Sequence, residues 1–439
     1  MSTGPSALLL NLCQAVTDMS GRMWYGWSAN DNIRETAASG GLVTGLLLSL
    51  LSSEMVDAVC ALKKGDDLYD PRPVLVTSPE EIQECAGSMF CGSILTADWV
   101  LGAVEANPGI KIASVVKGCD AKVIYELIKR NKLDRDDLFL IGLNCSGTFS
   151  PVQTRTFIRE VCGMNPDSVD SFLIRDGRVV VRSGDITKEY PLENIEERGF
   201  GRRDSCRRCD TPIPRQCDIV CGTWGLYGEN SERATFVEVC TDKGLDFLSQ
   251  AEKNGHITLV PADQGGVKAR SRVEAAMLTI SEKNRKEMFA KTGSGMERLT
   301  WIMEETSRCI KCYQCSHACP LCICQYCQTK KPWLVKPGEV PPPLMFHLIR
   351  FSHIADSCVN CGQCQDRCAM DIPVSLMMHA LQDELEKMFG YHPGRPEGMP
   401  ILAKVNQHEE WEHHYENSYQ KMIRLFSQKV ADTEDIKGE

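Results

Sequence analysis

The sequence predicts a mixed α/β protein in three parts: a large α/β domain over residues 1–300, a small cysteine-rich module over 301–375 and a helical extension over 376–439. Three observations predict it. Up to residue 290, apolar runs of strand length alternate with stretches of helical periodicity, the pattern of βαβ units. Two cysteine runs of identical spacing begin at Cys309 and Cys358, too close together to sit in separate large domains. Beyond Cys368, "VSLMMHALQDELEKM" (374–388) and "EEWEHHYENSYQKMIRLFSQKV" (409–430) carry apolar residues at helical intervals.

Composition narrows the class. At 439 residues the chain is long enough for two or three domains. Hydrophobic content of 43% and charged content of 25% are those of an ordinary globular protein. A net charge of −10 speaks against a nucleic-acid partner. The opening "MSTGPSALLLNLCQAV" has no basic segment and only a short apolar run, which argues against a signal peptide. "GLVTGLLLSLL" at 41–51 is far short of the roughly 20 residues a membrane span needs. A cytoplasmic protein without a membrane span is expected. There the 23 cysteines are not a disulfide scaffold, since thiols stay reduced in a cytosol and a chain of this size needs no staples. Eleven of them lie between Cys309 and Cys368 and four more between Cys206 and Cys221, and such clustering points to metal.

The elements of the first part follow in order. A small-residue turn at Ser39, Gly40 and Gly41 opens the apolar helix at 41–51, and the strand "DAVCAL" follows at 57–62. Glycines at a helix start let backbone amides approach an anion, which the helix dipole favours; the same turn also reads as an ordinary helix entry. A strand at 111–116, a loop at 117–120, a helix at 121–131 and a strand at 138–143 make a βαβ unit. Its two loops carry Cys119 and Cys145 just past strand carboxyl ends, the edge where open α/β sheets bind ligands. Lys117 reads either as an anion contact or as a solvated lysine. "CRRCDTPIPRQCDIVCGTWG" supplies Cys206 and Cys209 two apart, then a strand with Cys217 and Cys221. Four thiolates for one 4Fe–4S cluster come from Cys119, Cys145, Cys206 and Cys209; Cys206, Cys209, Cys217 and Cys221 are the more local alternative, and a structural zinc is the third. Residues 236–290 hold a strand, "ATFVEVCT", and two helical stretches, the second, at 272–291, charged enough to expect a solvated face.

The cysteine runs are the strongest signal. Cys309, Cys312, Cys315 and Cys319, then Cys358, Cys361, Cys364 and Cys368, both follow the C-x2-C-x2-C-x3-C spacing of bacterial two-cluster ferredoxins. Three cysteines two apart wrap three corners of an iron–sulfur cube, and the fourth serves the other cube. One 4Fe–4S cluster is therefore expected on Cys309, Cys312, Cys315 and Cys368, and another on Cys358, Cys361, Cys364 and Cys319. Structural zinc prefers paired C-x2-4-C units instead. Cys322, Cys324 and Cys327 read either as ligands of another metal or as small buried hydrophobes lining the cluster pocket, the second being the expectation. "QTKKPWLVKPGEVPPP" at 328–343 reads as a stiff extended connector.

In order and spacing, "SGGLVTGLL", "KGCDAKVIYELI", "IGLNCSG", "CRRC" and "CDIVCGTWG" resemble the beta subunits of coenzyme F420-reducing hydrogenase and F420-dependent formate dehydrogenase, over about residues 22–290. The resemblance implies a bound FAD beside a proximal 4Fe–4S cluster, with hydride exchange between coenzyme F420 and the flavin. By position it places Ser39, Gly40, Gly41 and Thr44 near the FAD phosphates, Lys117 and Gly118 beside the flavin, and Asp218, Gly222 and Trp224 in a further cofactor segment. The chain departs from the family pattern at Cys217, Val220, Cys221 and Thr223, and has Lys-Gly-Cys-Asp where relatives have Gly-Thr-Pro-Cys. It implies a route from coenzyme F420 through FAD and three 4Fe–4S clusters to a partner, either a catalytic dehydrogenase or hydrogenase subunit or one of heterodisulfide reductase type. A flavin belongs at the start because it exchanges electrons in pairs and singly. An electron relay between protein partners, linked to ferredoxin or a nicotinamide, is the alternative. No nucleophile triad, two-carboxylate site, HExxH or Walker loop is present, and no catalytic side chain is assigned. The tail at 409–430 is expected to pack against a partner, with His413 and His414 on its surface.

Overall fold

The computed structural model describes residues 22–228, 233–324 and 327–401. The expected helix at 409–430 and its two histidines lie outside them. Eleven strands are described: β1 Met23–Ser28, β2 Ala58–Lys64, β3 Pro71–Val76, β4 Ile112–Val116, β5 Leu138–Leu143, β6 Ser171–Arg175, β7 Arg178–Ser183, β8 Ile186–Pro191, β9 Ile219–Gly222, β10 Thr235–Val239 and β11 Ile257–Pro261. Eight form one sheet in the order β11-β1-β10-β9-β5-β4-β2-β3. Its centre, β9-β5-β4-β2, is parallel, with Ala58 beside Ile112, Ile112 beside Leu138 and Ile141 beside Ile219. Both edges are antiparallel.

The parallel strands are apolar on both faces because both faces are covered. Along β5, Leu138 and Leu140 face one core, while Phe139 and Ile141 face the other. The second face packs on the Leu42–Ser52 and Asp242–Lys253 helices, where the Phe139 and Phe247 rings meet edge-on at 4.9 Å. The first face packs on the Ala97–Ala106 and Gly118–Ile128 helices and, in the same cluster, on Ile302, Leu321, Phe351, Ile354, Val359 and Met377. The cysteine-rich module therefore shares a core with the sheet, and the described residues up to Pro396 form one compact unit. A small antiparallel sheet, β6-β7-β8, closes its own core on Phe149 and Phe157.

Several expectations shift. The helix expected at 121–131 begins at Gly118 and ends at Ile128. Cys119 and Asp120 thus stand in its first turn, because the buried Asp120 carboxylate accepts from the amides of Lys117 (3.2 Å) and Thr96 (2.7 Å) and so caps the start. The charged stretch at 272–291 belongs to a longer helix, Gln264–Ala290, whose inner stripe is itself polar. Buried Arg270 bonds buried Glu238 at 2.9 Å, and Arg215 joins Glu238 to Glu274, so this helix is clamped to β10 by ions as well as by Val267. The connector after Gln328 is short turns, as its prolines require, but it leads into a helix, Leu344–Ile354, where none was expected. The helix expected at 374–388 spans Val374–Phe389. None of the helices among the described residues is long and apolar enough to cross a membrane.

Phe139 is 1% exposed at the centre of the sheet. Phe139→Ala is expected to destabilise the protein by about 3–5 kcal/mol, measured by anaerobic denaturant unfolding.

Candidate functional site: a cleft and three sets of thiols

The carboxyl ends of β2, β4, β5 and β9 open onto a cleft of ≈ 1370 Å3, measured out to solvent. Ser39, Gly41 and Thr44 line one end of it, Lys117 and Asn144 the floor, and Gly222 and Trp224 the far side. Gly40 and Gly41 both adopt left-handed backbone, φ +58° and +70°, as only glycine does freely. This double turn starts the Leu42–Ser52 helix with no side-chain cap, so its first amides are left for a ligand at the cleft. Gly40 itself packs against Arg233 and Ala234, where a Cβ would come within 2.9 Å of backbone atoms. It shapes the turn rather than the lining.

Behind the floor is a second cavity, ≈ 740 Å3 out to solvent, lined by Cys119, Cys145, Cys206 and Cys209 with Gly118, Lys122, Arg202 and Arg203. Gly118 has no room for a side chain there, since a Cβ would lie 2.0 Å from the Thr211 carbonyl. Lys117, Cys145, Gly147 and Thr148 line both cavities, so one wall separates them. Burial, then the charge of Asp120, pushes Cys119 up to about 12. Cys209 is driven well above the ordinary thiol range by burial, then by Asp210, with Cys119 and Cys145 adding to it. Cys217 and Cys221, the alternative ligands, are fully buried elsewhere: Cys217 beside Cys240, and Cys221 in the sheet opposite Val237.

The second cavity also touches Val359, Asn360 and Cys361 of the C-terminal module. The two cysteine runs there fold as copies. Each has left-handed residues two and four places after its first cysteine, Lys311 and Tyr313 in one and Asn360 and Gly362 in the other, and each then starts a short helix, Gln314–His317 or Gln363–Asp366. The chain then crosses over. Beyond burial, the thiols that raise the Cys309 pKa are Cys315, Cys312 and Cys368; for Cys361 they are Cys319, Cys364 and Cys119, and for Cys364 they are Cys319, Cys358 and Cys315. The fourth cysteine of each run thus stands with the other run. Burial, opposed by the Asn360 amide, holds Cys358 at about 11. Of the three further cysteines, Cys322 is half-buried near Cys319, but Cys324 is exposed, so the expectation of burial fails there.

A backbone motif recurs through all three sets. The amide two residues after a cysteine faces its sulfur: Gly147 donates to Cys145 and Lys311 to Cys309, each at 3.4 Å, and the amides of Thr211, Leu321, Asn360 and Gln363 act against burial to lower the pKa of Cys209, Cys319, Cys358 and Cys361. Among the described residues, no three His, Cys, Asp or Glu side chains are placed to grip a single metal ion, as structural zinc requires.

Comparison with known proteins gives the family. The family described as "Coenzyme F420 hydrogenase/dehydrogenase, beta subunit" matches in two parts, its N-terminal part over residues 23–100 and its carboxyl-terminal part over 109–265. The F420-dependent formate dehydrogenase subunit beta of Methanocaldococcus jannaschii is 38% identical over 86% of this chain and 98% of its own length. This chain belongs to the coenzyme F420 hydrogenase/dehydrogenase beta-subunit family. A second formate dehydrogenase beta subunit, from Methanococcus maripaludis, is also 38% identical, over 87% of the chain and 97% of its own length. The coenzyme F420 hydrogenase subunit beta of Methanothermobacter thermautotrophicus is 26% identical over 60% of the chain and 93% of its own length. A chain in the structure of the F420-reducing [NiFe] hydrogenase complex from Methanosarcina barkeri shares the fold, with a TM-score of 0.54 over 61% of this chain and 92% of that one at 19% identity.

Among the residues expected to hold cofactor, Asp218 stands apart from the cleft. It lies at the amino end of β9, whereas the cleft is at the carboxyl ends. There its buried carboxylate accepts from Arg135 (2.8 Å), the Leu140 amide (2.8 Å) and the Thr241 hydroxyl (2.9 Å), a structural clamp. Asn144, in contrast, belongs to the cleft although sequence reasoning gave it no role. Its side chain fills the space above Gly222, where a Cβ would fall 1.5 Å from Asn144 Oδ1. Its position beside Cys145, just past β5, was the available signal.

Asp218→Ala is expected to cost about 2–3 kcal/mol in anaerobic unfolding, without changing the cofactor content of the folded fraction. Gly222→Ala, which displaces Asn144, is expected to lower the flavin-to-protein ratio instead; equal ratios for both variants would contradict this assignment.

Proposed function

We propose that this chain is the electron-transfer subunit of an F420-dependent oxidoreductase, working beside a catalytic subunit of formate dehydrogenase type. FAD in the cleft would supply what iron–sulfur clusters lack, hydride exchange with coenzyme F420 together with one-electron exchange. The observation that carries this reading is the wall of Lys117, Cys145, Gly147 and Thr148 shared by the cleft and the first thiol cavity.

The residues fit their parts. The uncapped first turn after Gly41, with Ser39 and Thr44 beside it, suits the phosphates. Met89, Phe90, Leu143 and Trp224 give a flat ring apolar surface and keep water from it. Lys117 donates to the Ile94 carbonyl at 2.8 Å and lies 3.4 Å from Asp120. Burial works to lower its pKa, but Asp120 and then Cys119 and Cys145 hold it above the ordinary value, so a fixed cation stands between cleft and thiols. Cys119, Cys145, Cys206 and Cys209 would hold the proximal 4Fe–4S cluster, Cys319, Cys358, Cys361 and Cys364 the next, and Cys309, Cys312, Cys315 and Cys368 the last. Thiols spread around a void, several of them met by a backbone amide, suit a cube that takes one sulfur per corner.

The formate dehydrogenase beta subunits favour a partner of that kind. Those relatives match over 86% and 87% of this chain, whereas the hydrogenase match covers 60%.

The test uses the full chain purified without oxygen. About twelve irons, as many sulfides and one flavin are expected from three four-iron clusters and one FAD, with reduction of coenzyme F420 by a viologen dye. Zinc in place of iron would overturn the reading; full cofactor content without coenzyme F420 turnover would leave a relay between proteins.

A further inference from the structure

The helix Leu344–Ile354, inserted between the two cysteine runs, brings an unusual group into the module's interior. Phe346, Phe351 and Ile354 bury its inner face, and the Phe346 ring meets Tyr313 of the first run at 5.4 Å, which fixes its rotation. Arg350, one turn after Phe346, points inward and is 5% exposed. One terminal nitrogen donates to the Cys315 carbonyl, and its Nε has no partner. The groups that act to hold its charge are thiols, Cys315, Cys364 and Cys319 of the two runs and then Cys322 beside them. The contrast with Arg203 is direct, since that buried guanidinium has Asp366 at 2.5 Å. A buried cation without a carboxylate costs several kcal/mol, so its compensation has to come from negative charge on the sulfur side.

We infer that Arg350 sets the reduction potentials of the two C-terminal clusters, as a positioning residue that favours their reduced states. The inference rests on the cluster assignment above. Adding one electron to a cube adds one negative charge beside a fixed cation in a poorly screened interior. The guanidinium therefore raises both potentials, and its place between Cys315 of one set and Cys364 and Cys319 of the other couples it to the pair rather than to one cube.

The experiment is an EPR-monitored reductive titration of the full chain, with iron quantified in every sample. In Arg350→Gln the two C-terminal midpoints are expected to fall together while the proximal midpoint stays, and Arg350→Lys is expected to return them towards the wild type. Unchanged midpoints in an iron-replete Arg350→Gln would overturn the inference. Where Arg350→Gln loses iron, Arg350→Lys decides: iron and midpoints recovered together support the role of the charge, whereas a lysine variant that loads iron at lowered midpoints, or fails to load it, overturns it. A wild-type chain without iron would instead sink the cluster assignment itself.

Discussion

The bond from a backbone amide to the sulfur two residues earlier is the constraint on which this architecture rests. It requires the chain to fold back around each cysteine, so the amides face the sulfur rather than a neighbouring strand. Lys311, Tyr313 and Asn360 accept left-handed backbone to allow it, at a cost that non-glycine residues seldom bear without a reason. Six cysteines in three sets repeat the motif, although they come from two unrelated parts of the chain. Such amides also carry the positive end of a dipole, which offsets part of the penalty burial places on a charged sulfur.

Buried ions hold the surroundings in place. Glu126 is fully buried in the Gly118–Ile128 helix, yet receives Arg130 at 2.8 Å, Lys129 at 3.2 Å, the Tyr391 hydroxyl and the Gly394 amide at 2.8 Å. It ties the helix that bears Cys119 to the segment that follows the last helix of the module. The Arg215, Glu238, Arg270 and Glu274 group does the same for the long helix behind β10. Glu126 and Glu238 each have more than one partner, and both oxygens of Glu274 accept from Arg215, the condition under which a buried charge is tolerated.

Most of the parallel sheet was legible in the sequence because its strands are continuous apolar runs. β5 matches the expected 138–143 in full and β4 the expected 111–116 to within a residue. Three things were not legible. The start of the Gly118–Ile128 helix depends on Asp120 capping amides that include one 24 residues away, at Thr96. Asp218 shares a short strand with Gly222 but lies at its other end, and direction along a sheet is a tertiary fact. Within the charged stretch at 272–291 most charges stay outside as expected, but Glu274 turns inward to Arg215, a partner 59 residues away.

The module that bears the last two thiol sets shares its core with the sheet, through residues such as Ile354, Val359 and Met377 against Val116, Val123 and Ile124. It cannot swing on a tether between donor and acceptor in the manner of a mobile carrier domain. Whatever accepts electrons must come to it. Nor can it simply be cut away from this chain: a cut before Gly295 would present to water the apolar face that Phe351, Ile354 and Met377 now cover.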